Sequence, residues 1–191
     1  MMLHALAAVI ALRCIGCDLH GQDLHGHDLH DATYIGADMR GADLRNADLR
    51  RIKFVGVDLS GAHLDGADLR DSALTGTDFD GATLAGARAE AARCAGCSFV
   101  RADLHGANLA GMSLVGADFS NADARGTNFN GAALCNDHLR VRCINLTGAD
   151  VTGADFRDAR SCAALDHDCR PVTADELRRY THNPLNGALL L

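Results

Sequence analysis

Large apolar residues recur at every fifth position along most of this chain. The pattern is clearest over residues 37–50, where units of a small residue, Asp, a large apolar residue, Arg and a fifth residue such as Gly or Asn follow one another without a spacer. In steps of five from Met39, the apolar centres run back to Leu19 and on to Phe79. A period of five matches neither the 3.6 residues of a helical turn nor the alternation of a flat strand. The pattern therefore predicts a repeat architecture.

The five-residue register holds over residues 17–146. The position two before each centre is usually Ala, the next is usually Asp, Asn, Ser or Thr, and the unit usually ends in Gly. The register weakens over residues 87–95, where we expect a dent or a local bulge. The next good centre after Ile144 is Val151, seven residues later, so we expect two extra residues to form a small bulge near residues 146–148.

Several units match the motif Ala-Asp/Asn-Leu-X-X directly: Ala42-Asp43-Leu44, Ala47-Asp48-Leu49, Ala67-Asp68-Leu69, Ala102-Asp103-Leu104 and Ala107-Asn108-Leu109. On these motifs the chain resembles the pentapeptide repeat family over about residues 12–161. The resemblance implies an all-β fold, a right-handed quadrilateral β-helix with four units in each coil. Centres and small positions would then point inward, and the positions on either side of the centre would point outward. Gly or Asn at each corner tolerates the positive φ of a tight turn.

A coil of four units has twenty residues and places every fourth centre in the same column. Phe79, Phe99 and Phe119 then fall in one column, and Tyr34 lies next to Phe54 in another. These intervals of twenty support the coil length independently of the motif. Stacked coils bury their apolar positions against their neighbours.

The two ends of the chain differ from the repeat. We predict an apolar N-terminal cap over residues 1–13, the β-helix over residues 14–161, and a C-terminal helix and tail over residues 162–191. Thr173 and Glu176 form a capping box, which predicts a helix from about residue 174 to residue 180. The tail carries Leu185, Leu189, Leu190 and Leu191. This segment either caps the last coil or packs on a second subunit in a homodimer.

An acidic ladder occupies the outward position before the centre on the first face of the coil. It comprises Asp18, Asp38, Asp58, Asp78 and Asp118, with Ser98 before the last Asp and His138 above it. One interpretation is that these carboxylates are solvated and bond to nearby amides or Arg side chains. The other is that the row imitates the phosphates of DNA and occupies a basic DNA-binding surface. The second role has a precedent in the family that the chain resembles, because that family includes proteins that bind DNA gyrase and topoisomerase IV and protect them from quinolones.

The fourth face carries a largely apolar stripe at the outward position after the centre. It reads Ile35, Val55, Thr75, Ala95, Val115 and Cys135. A monomer rarely leaves such a stripe open. The stripe is therefore a candidate docking face for another subunit, unless the chain's own termini cover it.

Charge and hydropathy limit the partners. The net charge of −7 with His neutral argues against direct nucleic-acid binding. The apolar run over residues 5–12 is too short to cross a bilayer, so we expect no membrane interaction. No Lys or Arg precedes that run. A secretory signal is therefore less favoured than an apolar cap, and we expect a cytoplasmic protein rather than a secreted or periplasmic one.

The cysteines leave two interpretations open. They are Cys14, Cys17, Cys94, Cys97, Cys135, Cys143, Cys162 and Cys169. The Cys14/Cys17 and Cys94/Cys97 pairs obey the repeat, so we favour a role in filling small or central positions over disulfide bonding. Cys162 and Cys169 lie beyond the clear repeat and are the better disulfide candidates.

Candidate chemistry is sparse. His20, His25 and His30 occupy the same outward position in three successive units, hence three different faces, and convergence on one metal ion is disfavoured. The sequence has no phosphate-binding loop and no nucleophile elbow. We therefore expect no cofactor, no metal and no enzymatic activity. The favoured function is a non-catalytic rod or scaffold that binds protein partners, and the alternative is a DNA mimic that binds a type II topoisomerase.

Overall fold

The structure is a computed structural model that describes residues 13–136, 142–164, 167–181 and 188. Within these residues the chain winds into a four-sided β-helix. Bridges between successive coils form four ladders, which begin with the pairs Asp18–Asp38, Asp23–Asp43, Asp28–Asp48 and Arg13–Thr33. We name the sides carrying these ladders face one, face two, face three and face four, in that order. Up to Ala133 each step of a ladder covers twenty residues, so the predicted coil and fold class are confirmed.

Face four is the most regular side, because its residues pair as short strands rather than as single bridges. A five-stranded parallel sheet comprises β1 (Arg13–Ile15), β2 (Thr33–Ile35), β3 (Lys53–Val55), β4 (Ala73–Thr75) and β5 (Arg93–Ala95). The middle residue of each strand is buried and the two flanking residues point outward. Isolated bridges continue this ladder through Ser113 to Ala133.

Corners occur at every fifth residue and adopt positive φ. Gly fills most of them, and at Gly66 (φ 68°) a Cβ atom would lie only 2.6 Å from Oδ1 of Asn46. In the described part of the chain, eight corners hold another residue, among them Asn46 (φ 57°) and Ala91 (φ 58°). The left-handed conformation costs such residues about 1–2 kcal/mol. These turns rotate the chain from one face to the next.

The core consists of the centres and the small positions, as predicted. Phe79 stacks on Phe99 with ring centroids 4.8 Å apart, and Phe99 stacks on Phe119 at 4.6 Å. Tyr34 and Phe54 meet edge to face at 5.8 Å. All five rings are nearly or fully buried. The aromatic columns predicted from the twenty-residue coil are therefore confirmed.

The bulge expected over residues 87–95 is absent. Ladder bridges pass through Arg88 and Arg93 in register, and the centres Ala89 and Cys94 are buried. The small centres fill less of the core than Leu or Phe would. The backbone hydrogen bonds between coils nevertheless keep these residues in register.

The register beyond Asn136 differs from the one predicted. Asp118 pairs with Asn145, 27 residues later, so the coil contains seven residues more than its neighbours. They follow β6 (Ala133–Asn136), and β7 (Arg142–Cys143) returns antiparallel to it. The expected two-residue bulge near residues 146–148 was therefore wrong in size and place. Phe156 consequently stacks on Phe129 at 4.7 Å.

The C-terminal end adds a second sheet and the predicted helix. The strands β8 (Arg160–Ala164) and β9 (His167–Pro171) complete a four-stranded sheet in the order β7-β6-β8-β9. The helix α1 (Ala174–Thr181) follows it. Among the described residues, no helix has the length and apolar character that a membrane crossing requires.

The capping box at the start of α1 is confirmed. The Glu176 carboxylate accepts the Thr173 backbone N–H at 2.9 Å, and the Glu176 backbone N–H donates to the Thr173 hydroxyl at 3.3 Å. Leu177 and Val172 are buried in the core, so α1 packs on the last coil. Ala188 also packs against the core. The predicted N-terminal cap, except residue 13, and the candidate dimer or cap residues Leu185, Leu189, Leu190 and Leu191 lie outside the described residues.

All eight cysteines are paired in the structure. The pairs are Cys14–Cys17, Cys94–Cys97, Cys135–Cys143 and Cys162–Cys169. The last pair is the one that the sequence favoured. For the first two pairs the preference for simple space filling was wrong, although Cys14, Cys94 and Cys97 are indeed buried. The pairing of Cys135 with Cys143 depends on the insertion, which brings β7 beside β6.

Candidate interaction surfaces

The acidic ladder lies along face one as predicted. Parallel bridges connect Asp18, Asp38, Asp58, Asp78, Ser98, Asp118 and Asn145 in successive coils. Because neighbouring coils lie about 4.8 Å apart, these side chains form a row along the rod. Asn145 takes the place predicted for His138, which lies outside the described residues.

Arg40 neutralises the lower part of this row. Its Nε donates to Asp38 Oδ1 at 2.9 Å, and the same nitrogen lies 3.7 Å from Asp58 Oδ2. The hydrogen bonds from Arg40 lower the pKa of Asp38 to about 2. Asp38 is therefore a paired carboxylate rather than a free one.

Higher on face one the carboxylates have no such counter-ion. Among the described residues, no Lys, Arg or His lies within salt-bridge distance of Asp78, Asp80 or Asp118. Burial, with the charges of Asp80 and Asp58, raises the pKa of Asp78. We call Asp78, Asp80 and Asp118 the acidic patch.

Many outward Asp residues have a local structural role. The carboxylate before the centre accepts the backbone N–H two residues later, and an Arg at that second position adds a bidentate ion pair. This contact recurs at Asp38–Arg40, Asp43–Arg45, Asp48–Arg50, Asp123–Arg125 and Asp155–Arg157. Exposed pairs of this kind contribute little to stability, because solvent screens them. Their recurrence favours the solvated interpretation of most Asp positions.

Face three contains one more deeply buried carboxylate, Asp68. Arg70 in the same unit donates to it at 2.8 and 2.7 Å, and Arg88 of the next coil donates at 2.7 Å. Burial opposes ionisation of Asp68, yet the hydrogen bonds and charges of these arginines leave its pKa below the usual value. The cluster joins adjacent coils through the Asp68 carboxylate.

A second cluster on face three brings together Asp28, His30 and Asp48. Asp28 already accepts a very short hydrogen bond from His30, and Asp48 is held by Arg50 at 2.8 Å. A bound cation would have to displace that guanidinium, so we assign no metal to this cluster. His20 and His25 belong to units on faces one and two, which agrees with their predicted divergence.

The apolar stripe lies on face four, with one correction at each end. Ile35, Val55 and Val115 are half-buried, and Thr75 and Ala95 are exposed. Cys135 does not belong to the exposed stripe, because it is fully buried and paired with Cys143. At the other end Ile15, which the sequence analysis did not include, is 67% exposed.

A column of cations beside this stripe was also missed. Arg13, Lys53 and Arg93 occupy the outward position before the centre on face four, at every second coil. They are exposed, and none has an acidic partner among the described residues. Reading the position before the centre, as was done for face one, would have found them. We call Arg13, Lys53 and Arg93 the cationic column.

Comparisons with known proteins agree with this geometry. A family profile described as pentapeptide repeats matches the chain in eight copies, over residues 13–51, 52–88, 84–119 and 102–136. HetL is a pentapeptide repeat protein involved in heterocyst differentiation regulation from the cyanobacterium Nostoc sp. strain PCC 7120. Its crystal structure aligns at 23% identity with a TM-score of 0.54, covering 99% of this chain and 93% of HetL.

A trypsin-treated form of QnrB1, a plasmid-mediated fluoroquinolone resistance protein, aligns at 17% identity with a TM-score of 0.66. The alignment covers 95% of this chain and 92% of QnrB1. At these identities the two similarities support the fold alone. No curated protein sequence matches the chain. The twenty-residue coil, the ladders and the matched profile together assign this chain to the pentapeptide repeat family.

Proposed function

We propose that this chain is a non-catalytic rod that binds protein partners through its outward side chains. The supporting observation is that the inward and outward positions of each unit have different roles. Inward positions are filled by buried apolar residues, whereas outward positions form ladders of exposed side chains at fixed spacing. Such a surface changes its chemistry from face to face without altering the core. Proteins of this family are generally structural or interaction proteins.

The proposal is tested by capturing partners with the full chain and with one variant for each of three faces. Asp58→Arg alters face one, Thr83→Arg alters face two and Lys53→Glu alters face four. Quantitative mass spectrometry of a source-organism lysate should identify a protein that one variant loses about tenfold and the other two retain. Circular dichroism first verifies that each variant is folded. If every protein is captured in equal amounts by the full chain and by all three variants, the faces do not select partners and the proposal fails.

A DNA mimic that binds gyrase or topoisomerase IV is the second candidate, and the acidic patch favours it. Asp78 and Asp80 lie within salt-bridge distance of no cation in the described part of the chain. Unpaired carboxylates in a row resemble a phosphate backbone to a basic protein surface. The cysteine pairing weighs against it, since disulfides persist in oxidising compartments and type II topoisomerases act in reducing ones.

A supercoiling assay tests whether the chain is a DNA mimic. Purified gyrase is assayed with relaxed plasmid, with and without the full chain, and with and without a quinolone. A mimic inhibits supercoiling or restores it in the presence of the drug, and Asp78→Asn with Asp80→Asn weakens that effect. If micromolar protein neither inhibits nor protects gyrase, only the protein-binding rod remains.

A further inference from the structure

We propose that face four is the docking surface for an acidic amphipathic helix of a partner protein. The inference rests on the proposed protein-binding function and names the surface and the chemistry of its occupant. The surface consists of the cationic column and the adjacent apolar side chains Ile15, Ile35 and Val55. Both columns project outward from the parallel sheet β1–β5.

Charge identifies the occupant as acidic. At the outward positions beside the centres of the described coils, face four carries no Asp or Glu, whereas each of the other faces has more carboxylates than Lys and Arg there. Most arginines on those faces are tied to an Asp, but the cationic column has no such partner among the residues the structure describes. Its charges are therefore available to an external carboxylate.

The apolar column requires that the occupant also carry apolar side chains. Ile15 is 67% exposed, and Ile35 and Val55 retain part of their surface. On each of these strands the apolar residue follows the outward polar position by two residues, a separation of about 7 Å. A single partner element can therefore contact both columns at once.

Hydrogen bonding and spacing favour a helix rather than an added strand. The strands of face four already pair with one another in register, so their backbone groups are used within the sheet. The cationic column repeats at every second coil, about 9.6 Å. A helix advances about 10.5 Å in seven residues. A helix lying along the rod with an acidic residue in every heptad would thus meet the three cations in succession.

The test uses a fluorescein-labelled designed peptide of three heptads, with Glu at one position of each heptad and Leu at the two flanking positions on the same side. Fluorescence anisotropy measures its binding to the full chain. We expect saturable binding that weakens as ionic strength rises. Lys53→Glu and Val55→Asp should each weaken binding about tenfold. Arg101→Glu reverses the same charge at a distant corner and should change the affinity by less than about twofold.

Several outcomes overturn the proposal. They are equal binding of a peptide with Lys in place of Glu, equal losses in Lys53→Glu and Arg101→Glu, or binding only after residues 1–12 are removed. Preferential binding to anionic vesicles, or self-association abolished by Val55→Asp in light scattering, would assign face four to a lipid surface or a second copy. If the peptide does not bind but capture of a lysate partner depends on Asp58 or Thr83, the docking surface on face four is rejected. The proposal of a protein-binding rod is then retained.

Discussion

Replacing Thr77 by Val should stabilise the protein, although it removes a polar group from a tightly packed position. Thr77 occupies an inward small position on face one and is 1% exposed, and its hydroxyl has no hydrogen-bond partner among the residues that the structure describes. The residues one coil below and above at the same position are Val57 and Cys97, both buried. Val therefore fits this position without a change in the backbone.

The magnitude follows from two effects with the same sign. A buried hydroxyl without a partner costs about 1–3 kcal/mol relative to one that is bonded. The new methyl group adds about 0.8 kcal/mol of apolar burial. With allowance for imperfect packing, we expect Thr77→Val to raise the free energy of unfolding by about 1–2 kcal/mol.

The chain contains a matched control at Thr127. This residue is also inward and fully buried, but its hydroxyl donates to the backbone carbonyl of Leu104 at 2.8 Å. Thr127→Val leaves that carbonyl without the bond, so it should lower the free energy of unfolding by about 1 kcal/mol. The two identical substitutions should therefore have opposite signs.

Urea denaturation of the full chain with its cysteines oxidised, followed by circular dichroism, measures both values. Equal slopes against urea concentration would indicate that only stability has changed. If Thr77→Val destabilises the protein as much as Thr127→Val, the hydroxyl of Thr77 is bonded in solution. The acceptor would then be the backbone carbonyl of Phe54, which precedes Thr77 by 23 residues, just as Leu104 precedes Thr127. That result would refute the reasoning.

Three further predictions concern the corners, the C-terminal helix and the core. Ala91→Gly should stabilise by about 1 kcal/mol by relieving the left-handed φ of 58°, whereas Gly86→Ala should destabilise by a similar amount; a lower melting temperature for Ala91→Gly would contradict this. Hydrogen bonds from Arg170 lower the pKa of Glu176 from 4.5 to about 2, so its contribution is full above pH 4.5 and is lost as the pH falls towards 2. Glu176→Gln should cost about 1 kcal/mol at pH 7 and almost nothing near pH 2, and equal urea midpoint shifts at both pH values would rule this out. Phe99→Leu removes two ring contacts, at 4.8 and 4.6 Å, and should cost about 1–3 kcal/mol in urea denaturation; a loss below about 0.5 kcal/mol would indicate that stacking adds nothing.

The repeat could be predicted from the sequence because its determinants are local and periodic. The five-residue apolar spacing fixes which side chains point inward, and the twenty-residue coil follows from the ring positions. The start of α1 was equally accessible, since Thr173 and Glu176 cap it through contacts three residues apart. These features need no knowledge of distant contacts.

The insertion could not be read from spacing, for a specific reason. Leu134, Leu139 and Ile144 lie five residues apart, so the sequence period continues across the seven added residues. Ile144 is buried in a small position and Leu146 is the true centre, because Asn145 pairs with Asp118. Only the ladder partner distinguishes these two registers.

The interaction surfaces were predicted in part. The acidic ladder and the apolar stripe follow from sorting residues into columns. Sorting into columns does not show which charges form ion pairs. Arg40 lies within salt-bridge distance of both Asp38 and Asp58, whereas Lys53 lies within that distance of no carboxylate among the described residues. Cysteine pairing likewise depends on folded geometry, as Cys135 and Cys143 become neighbours only through the insertion.

Seven residues are added to the chain between Asn136 and Ile144, where face four is followed by face one. Beyond them all four ladders resume in the same order, so the added residues leave the pairing of the four faces unchanged. Coil closure therefore depends on corner positions meeting in space, and not on the number of residues that join them. New loops can be grafted at such corners, beside Gly36 or Gly56 for example, without redesigning the interior. The same rod can in this way acquire a new recognition element while its core sequence stays unchanged.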